Sequence, residues 1–284
     1  MSLDLDSRQR AMLEAMGVQV WWPETPPVEL PVDAVRVEPV VATVPLTKTM
    51  QAVAPGRPKQ GTAPTGGSDP HAVGERGGHV ATMDWPQLQA AVAGCEACGL
   101  CRTRTQTVFG VGPQPGDTPP QVDWLIVGEA PGENEDLQGE PFVGQAGKLL
   151  DNMLKAVGLS RHGTAPLKGA FIANVLKCRP PGNRNPSPEE VAQCLPYLQR
   201  QVALLQPKII VAAGRFAVQA LLQDTVPEVH TLPLGKLRGR VHRYQGVPVV
   251  VTYHPAYLLR ALPEKAKTWA DLCLALDVLA GTGG

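Results

Sequence analysis

Four of the six cysteines in this 284-residue chain are spaced like metal ligands. Cys95 and Cys98 form a C-x-x-C pair, and Cys178 and Cys194 follow on two later segments. A thiolate pair closed by two more thiolates suits either zinc or an iron–sulfur cluster, and spacing does not choose between them. Cys101, just after the pair, is a minor candidate for a substitute ligand, and Cys273 falls on an apolar helix stripe and reads as core. Three other stretches concentrate residues that can do chemistry. They are GEAPGENEDLQGEPFVGQAG, dense in carboxylates, KCRPPGNRNPSPEE, and HPAYLLR, which opens on His254.

Each of these stretches follows an apolar run of the kind that forms a buried strand. VDWLIVG at 122–128, FIANVLK at 171–177 and KIIVAAG at 208–214 are such runs, and RGRVHRY and PVVVTYH flank a turn at Gly246. Helical patterns lie between them. Asp84 can cap a helix through PQLQAAVAGC, and Leu149, Leu150, Met153, Leu154 and Val157 make a stripe that stops at Gly158. Ser187, Pro188 and Glu190 spell a capping box ahead of a long helix in which Pro196 predicts a kink. Trp269, Leu272, Cys273, Leu276 and Leu279 define a closing helix. Strand–helix alternation predicts a three-layer α/β domain with a mainly parallel sheet. Ligands bind such sheets beyond the carboxyl ends of the strands, where the three stretches fall.

Composition limits the rest. With 26 basic and 26 acidic residues the net charge is zero, which excludes a polybasic nucleic-acid binder and leaves phosphate contact to local patches. The 29 prolines and 29 glycines are high for a folded chain, and residues 23–82, where Pro, Gly and Thr recur without a helical or strand period, read as a disordered, flexible linker ahead of a folded domain at 83–284. Residues 1–22 carry a short helical pattern and the cluster Val18, Val20, Trp21, Trp22. They read as a docking segment for a protein partner, a segment folding back on its own domain, or an inert tail. The acidic N-terminus is not a signal peptide and no run is long enough to span a bilayer, so a cytoplasmic monomer is expected, with no membrane partner. Structural disulfides are not expected there.

Taken in order, the C-x-x-C pair with RTRTQTVFGVG, then GEAPGENEDLQGEPFVGQAGKLLDNML, NVLKCRPPGNRNP and HPAYLLR, resemble the family 4 uracil-DNA glycosylases over roughly residues 85–279. The resemblance implies an α/β/α fold with a four-stranded, largely parallel central sheet. It also implies a [4Fe–4S] cluster on Cys95, Cys98, Cys178 and Cys194, and uracil-containing DNA as the substrate. A covalently trapping relative carries a histidine-containing basic insert where this chain has CRPPGNRNP, so ordinary hydrolysis is expected.

Such an enzyme must extrude the base and stabilise a departing uracil anion while a water is positioned on the other face of the sugar. By the resemblance His254 donates to uracil O2. Asn174 offers one donor and one acceptor to O4 and N3–H, a pairing that cytosine reverses. Phe142 is the candidate stacking platform, or else an ordinary core aromatic. Glu129 directly follows a strand, where a carboxylate can orient water, and Ala130 stands where other uracil glycosylases place an aspartate; Glu135 and Asp136 are the other candidate bases. For DNA, Lys177, Arg179 and Arg184 surround the second loop, and Lys236, Arg238, Arg240 and Arg243 form a basic strand region. By the resemblance Tyr257, Leu258 and Leu259 belong to a loop that wedges into the duplex, with Arg260 expected on a flanking phosphate. The competing readings are a non-catalytic iron–sulfur DNA-binding protein, which Glu129, Asn174 and His254 together argue against, and a glycosylase for another deaminated base such as hypoxanthine.

Overall fold

The computed structural model describes residues 77–115, 122–163 and 168–281, together with Met12 and Glu14. The chain divides into one unit of residues 1–20 and 68–284 and another of residues 21–67, and the second lies outside the described residues. Apart from Met12 and Glu14, the docking segment expected at 1–22 also lies outside them, as does the expected linker up to residue 76. The end of that expected linker needs correcting. Residues 77–82 are helical, and Val80 is buried in one cluster with Leu88, Val92 and Leu100. Folded structure therefore begins ahead of residue 83, because Val80 supplies core surface that the surrounding composition conceals.

The strands are β1 (Trp124–Gly128), β2 (Leu159–Ser160), β3 (Lys168–Asn174), β4 (Ile209–Ala213), β5 (Val241–Tyr244) and β6 (Val247–Thr252). They form one sheet in the order β2-β3-β1-β4-β6-β5, six strands where four were expected. The central four, β3-β1-β4-β6, run parallel. Two-residue β2 extends the parallel set at one edge, and β5 pairs antiparallel with β6 at the other. A strand as short as β2 carries no period for a sequence pattern to reveal.

The helices are α1 (Trp85–Ala93), α2 (Glu133–Gln138), α3 (Gln145–Ala156), α4 (Pro188–Leu205), α5 (Arg215–Leu222), α6 (Leu234–Leu237), α7 (Pro255–Leu258) and α8 (Glu264–Leu279). Successive strand side chains point to opposite faces, so each apolar strand feeds two cores. Leu125, Val127, Ile210 and Ala212 pack with Leu198 of α4 and Val218 of α5. Trp124, Ile126, Val211 and Val250 pack with Met153 of α3 and with Trp269 and Leu272 of α8. This is the expected three-layer α/β/α arrangement. Asp84 and Ser187 each close a capping box, with Gln87 and Glu190 respectively. Helix α4 continues through Pro196 as one element.

Register then fixes the functional edge. Gly128 lies level with Asn174, and Ala213 with Thr252. The loops after β1, β3 and β6 consequently leave the sheet from the same edge. The end of β6 is tied to α8 through a buried carboxylate that also pairs with an arginine. Asp271, 2% exposed, accepts from Arg238 Nε at 2.7 Å and Nη2 at 2.9 Å, and from Thr252 Oγ1 at 2.7 Å. Removing one partner of such a pair strands the other charge in a dry site. Asp271→Ala is expected to destabilise the domain by about 3–5 kcal/mol, and Thr252→Val by about 1 kcal/mol, read as lowered midpoints in urea unfolding.

Candidate active site

A cleft of about 530 Å³ opens beyond the carboxyl edge of the sheet. Glu129, Ala130, Phe142, Asn174 and His254 all line it, together with Arg184, Tyr257 and Arg260. The five residues singled out around uracil thus converge on one cavity from three loops. Asn174 ends β3 and is 2% exposed, yet its Oδ1 has no hydrogen-bond partner among the described residues. A buried amide oxygen left in that state costs about 1–3 kcal/mol, which a ligand N–H would offset. Room for this group comes from Gly128. A Cβ there would collide with Asn174 Oδ1 and come within 2.6 Å of Phe142 Cζ.

Phe142 is buried and has a φ of 55°, in the left-handed region that side chains other than glycine rarely enter. Its ring stacks on His254, with centroids 5.2 Å apart and planes 26° apart. His254 caps α7, and its Nδ1 accepts the amide of Ala256 at 3.2 Å. That bond leaves the proton on Nε2. Burial pulls the imidazole down to about 4, with the charge of Glu135 opposing the fall and that of Arg260 adding to it. At neutral pH the ring is an uncharged donor through Nε2–H.

The three acidic candidates separate by what they touch. Glu135 takes the amides of Gly132 and Val143, each at 3.0 Å, and that of Gly144 at 3.5 Å. Asp136 is buried and takes the amide of Thr105 on both oxygens, at 3.0 and 2.9 Å. Both carboxylates are committed to bracing the loop. Glu129 is different, because burial alone pushes its carboxyl up to about 7. It is the cleft carboxylate poised to exchange a proton near neutrality.

Among the expected DNA contacts, three change role. Lys177 is 1% exposed and donates from Nζ to Asn174 O at 2.8 Å, Gln201 Oε1 at 2.7 Å and Phe109 O at 3.3 Å, so it faces the interior. Arg238 is occupied by Asp271 and lies 4.5 Å over the Tyr253 ring. Leu258 is fully buried, whereas Tyr257 and Leu259 on either side are 40% and 42% exposed. Arg260 is exposed beside the cleft. Arg179 bonds Asn183 Oδ1 at 2.8 Å and pairs with Glu133 at 3.5 Å. Arg184, another cleft residue, is held bidentate by Glu190.

The four ligand-like cysteines belong to one further cluster. Cys178 and Cys194 are buried with Leu88, Leu100 and Leu176, and Cys95 and Cys98 pack against the same group. The charges these thiols would carry act on one another. Cys95 and Cys98 both raise Cys178, and Cys178 and Cys95 both raise Cys194. Burial is the larger effect and pushes the Cys194 thiol up to about 12. N–H donors meet two of the sulfurs. Arg104 Nη1 reaches Cys178 Sγ at 3.2 Å and Cys95 O at 2.6 Å, and the Lys177 amide reaches Cys194 Sγ at 3.3 Å. Arg104, in the RTRT run, was given no role from sequence, since an arginine's target is a tertiary fact. Among the described residues, no group of three or more His, Cys, Asp or Glu side chains is arranged to hold a single metal ion.

The model of the Uracil DNA glycosylase superfamily matches residues 115–273. A type-4 uracil-DNA glycosylase of Archaeoglobus fulgidus is 43% identical over 172 residues, covering 59% of this chain and 79% of that one. A type-4 uracil-DNA glycosylase of Pyrobaculum aerophilum is 38% identical over 196 residues, covering 68% of this chain and 93% of its own. Similarity extends to a type-5 uracil-DNA glycosylase of Thermus thermophilus, 35% identical over 136 residues, 45% of this chain and 62% of that protein. The match spans the sheet, its three functional loops and most of the closing helix, and this chain belongs to the uracil-DNA glycosylase superfamily, among its type-4 members.

Proposed function

We propose that this protein hydrolyses the N-glycosidic bond of uracil in DNA and leaves an abasic site, the opening step of base-excision repair. The observation that carries the reading is the unpartnered Asn174 Oδ1 beside a neutral His254 in one cleft. In this reading uracil stacks on Phe142 while Asn174 accepts N3–H and donates to O4. His254 Nε2–H donates to O2, where negative charge gathers as the bond breaks, and a neutral donor keeps the proton it shares. Glu129, as carboxylate, orients the water that attacks the sugar carbon, beside the small side chain of Ala130. Tyr257 and Leu259 fill the space the extruded nucleotide vacates, and Arg260 and Arg179 meet backbone phosphates.

Cys95, Cys98, Cys178 and Cys194 would hold a [4Fe–4S] cluster. Four mutually neighbouring thiols, with N–H donors on Cys178 and Cys194, are a donor set suited to it, and a multi-iron cluster needs a wider ring of sulfurs than one ion. When bound, the cluster supplies a cross-link between the C-x-x-C segment and the loop after β3. Thiols stay available for this in a reducing cytoplasm. We assign residues 1–22 as a docking segment and 23–76 as its tether, with the folded catalytic domain acting as a monomer.

Three outcomes are expected. Uracil-containing oligonucleotides, single- and double-stranded, yield abasic sites with the native protein, and His254→Ala slows excision by roughly 10²–10³-fold. Asn174→Ala slows it too and narrows the preference for uracil over cytosine; tight DNA binding with no base released by native protein would sink the proposal. The rate also depends on pH through Glu129, which must be deprotonated to act. Single-turnover excision should climb about tenfold per pH unit below about 7 and level off above it. His254 stays neutral throughout that range, so it adds no second limb above about 4. A flat profile between pH 5.5 and 8.5 (roughly the window around the Glu129 midpoint) would remove Glu129 from the role. Finally, native protein purified without oxygen should show broad visible absorption that Cys178→Ser or Cys194→Ser abolishes.

A further inference from the structure

The geometry points to Arg161 as the positioning residue for Phe142, an assignment that rests on the reading of Phe142 as the surface uracil stacks on. Phe142 holds a left-handed φ of 55°, which a phenylalanine keeps only where its surroundings impose it. Gly147 contributes by absence, since a Cβ there would collide with the Phe142 carbonyl and α3 could not approach so closely. Arg161 contributes directly. It is 6% exposed and spends its guanidinium on three partners. Nη1 donates to Pro141 O at 2.8 Å, Nη2 to Phe142 O at 3.0 Å, and Nε to Asp151 Oδ1 at 2.8 Å.

A planar fork that spans two successive carbonyls fixes the peptide between them, and Asp151, on α3, fixes the fork. The direction of that peptide sets where the Phe142 ring lies, and the ring in turn backs His254. Arg161 itself is not among the cleft-lining residues, so its influence runs through Phe142. Lysine, a point charge, cannot bridge both carbonyls and the carboxylate in one plane.

The test is a double-mutant cycle on single-turnover excision at saturating DNA, with affinity for a uracil-free duplex measured alongside. Arg161→Met should slow excision by roughly tenfold to a hundredfold, as displacement of a positioned group does, and leave uracil-free DNA affinity unchanged. Arg161→Lys should recover part of the loss. Phe142→Ala should also be slow, and adding Arg161→Met to it should cost nothing further. Native rates for Arg161→Met while Phe142→Ala is slow, or additive losses in the double variant, would overturn the assignment. A fully active Phe142→Ala would instead overturn the stacking reading and take this assignment with it. Should Arg161→Met fail to fold, Arg161→Lys and Asp151→Asn carry the same cycle, with the same absence of added loss on Phe142→Ala expected.

Discussion

The site depends on a side chain that is missing. Gly128 closes β1 level with Asn174 on β3, and both the Asn174 amide and the Phe142 ring occupy the volume a Cβ would need. Packed interiors do not yield such space without shifting backbone or rotamers. The parallel register of β1 and β3 therefore does more than build a sheet. It sets the Asn174 amide beside the Phe142 ring, and that ring stacks on His254. Within that packing Asn174 Oδ1 has no hydrogen-bond partner among the described residues.

One physical cause then works in two directions. Withdrawal from water penalises whichever form carries charge, so the same cleft raises Glu129 to about 7 and lowers His254 to about 4. Two groups that differ modestly in solution are pushed apart and past each other. The histidine becomes a fixed neutral donor and the carboxyl becomes the group that titrates near neutrality. Glu135 and Asp136, on the same loop, have their oxygens occupied by backbone amides. The loop that presents Glu129 therefore also supplies its own scaffolding.

Much of this was legible in the sequence for reasons that can be stated. The apolar runs VDWLIVG, FIANVLK and PVVVTYH announce buried parallel strands, and the loops that follow must face one way. Asp84 and Ser187 cap their helices because their side chains mimic the missing turn. What escaped is what only tertiary contact decides. Lys177 and Arg238 look like surface cations until Gln201 and Asp271 are found beside them. Leu258 and Leu259 are alike in type, and the short turn of α7 alone sends one inward and the other to solvent. Two-residue β2 and the buried Val80 offer too short a pattern to read. Arg161 sits in a stretch with no period at all, and its role exists only in the two carbonyls it reaches.

The inward turn of these cations also bears on how the protein searches a genome. Lys177 and Arg161 are buried, Arg238 is half-buried against Asp271, and Arg184 is paired with Glu190, in a chain whose net charge is zero. Each phosphate a protein neutralises steepens the dependence of its affinity on salt by about 0.9 in the log–log slope. Cations turned inward in this way add nothing to that slope. What distinguishes one stretch of DNA from another is then read past the phosphates, at the bases themselves.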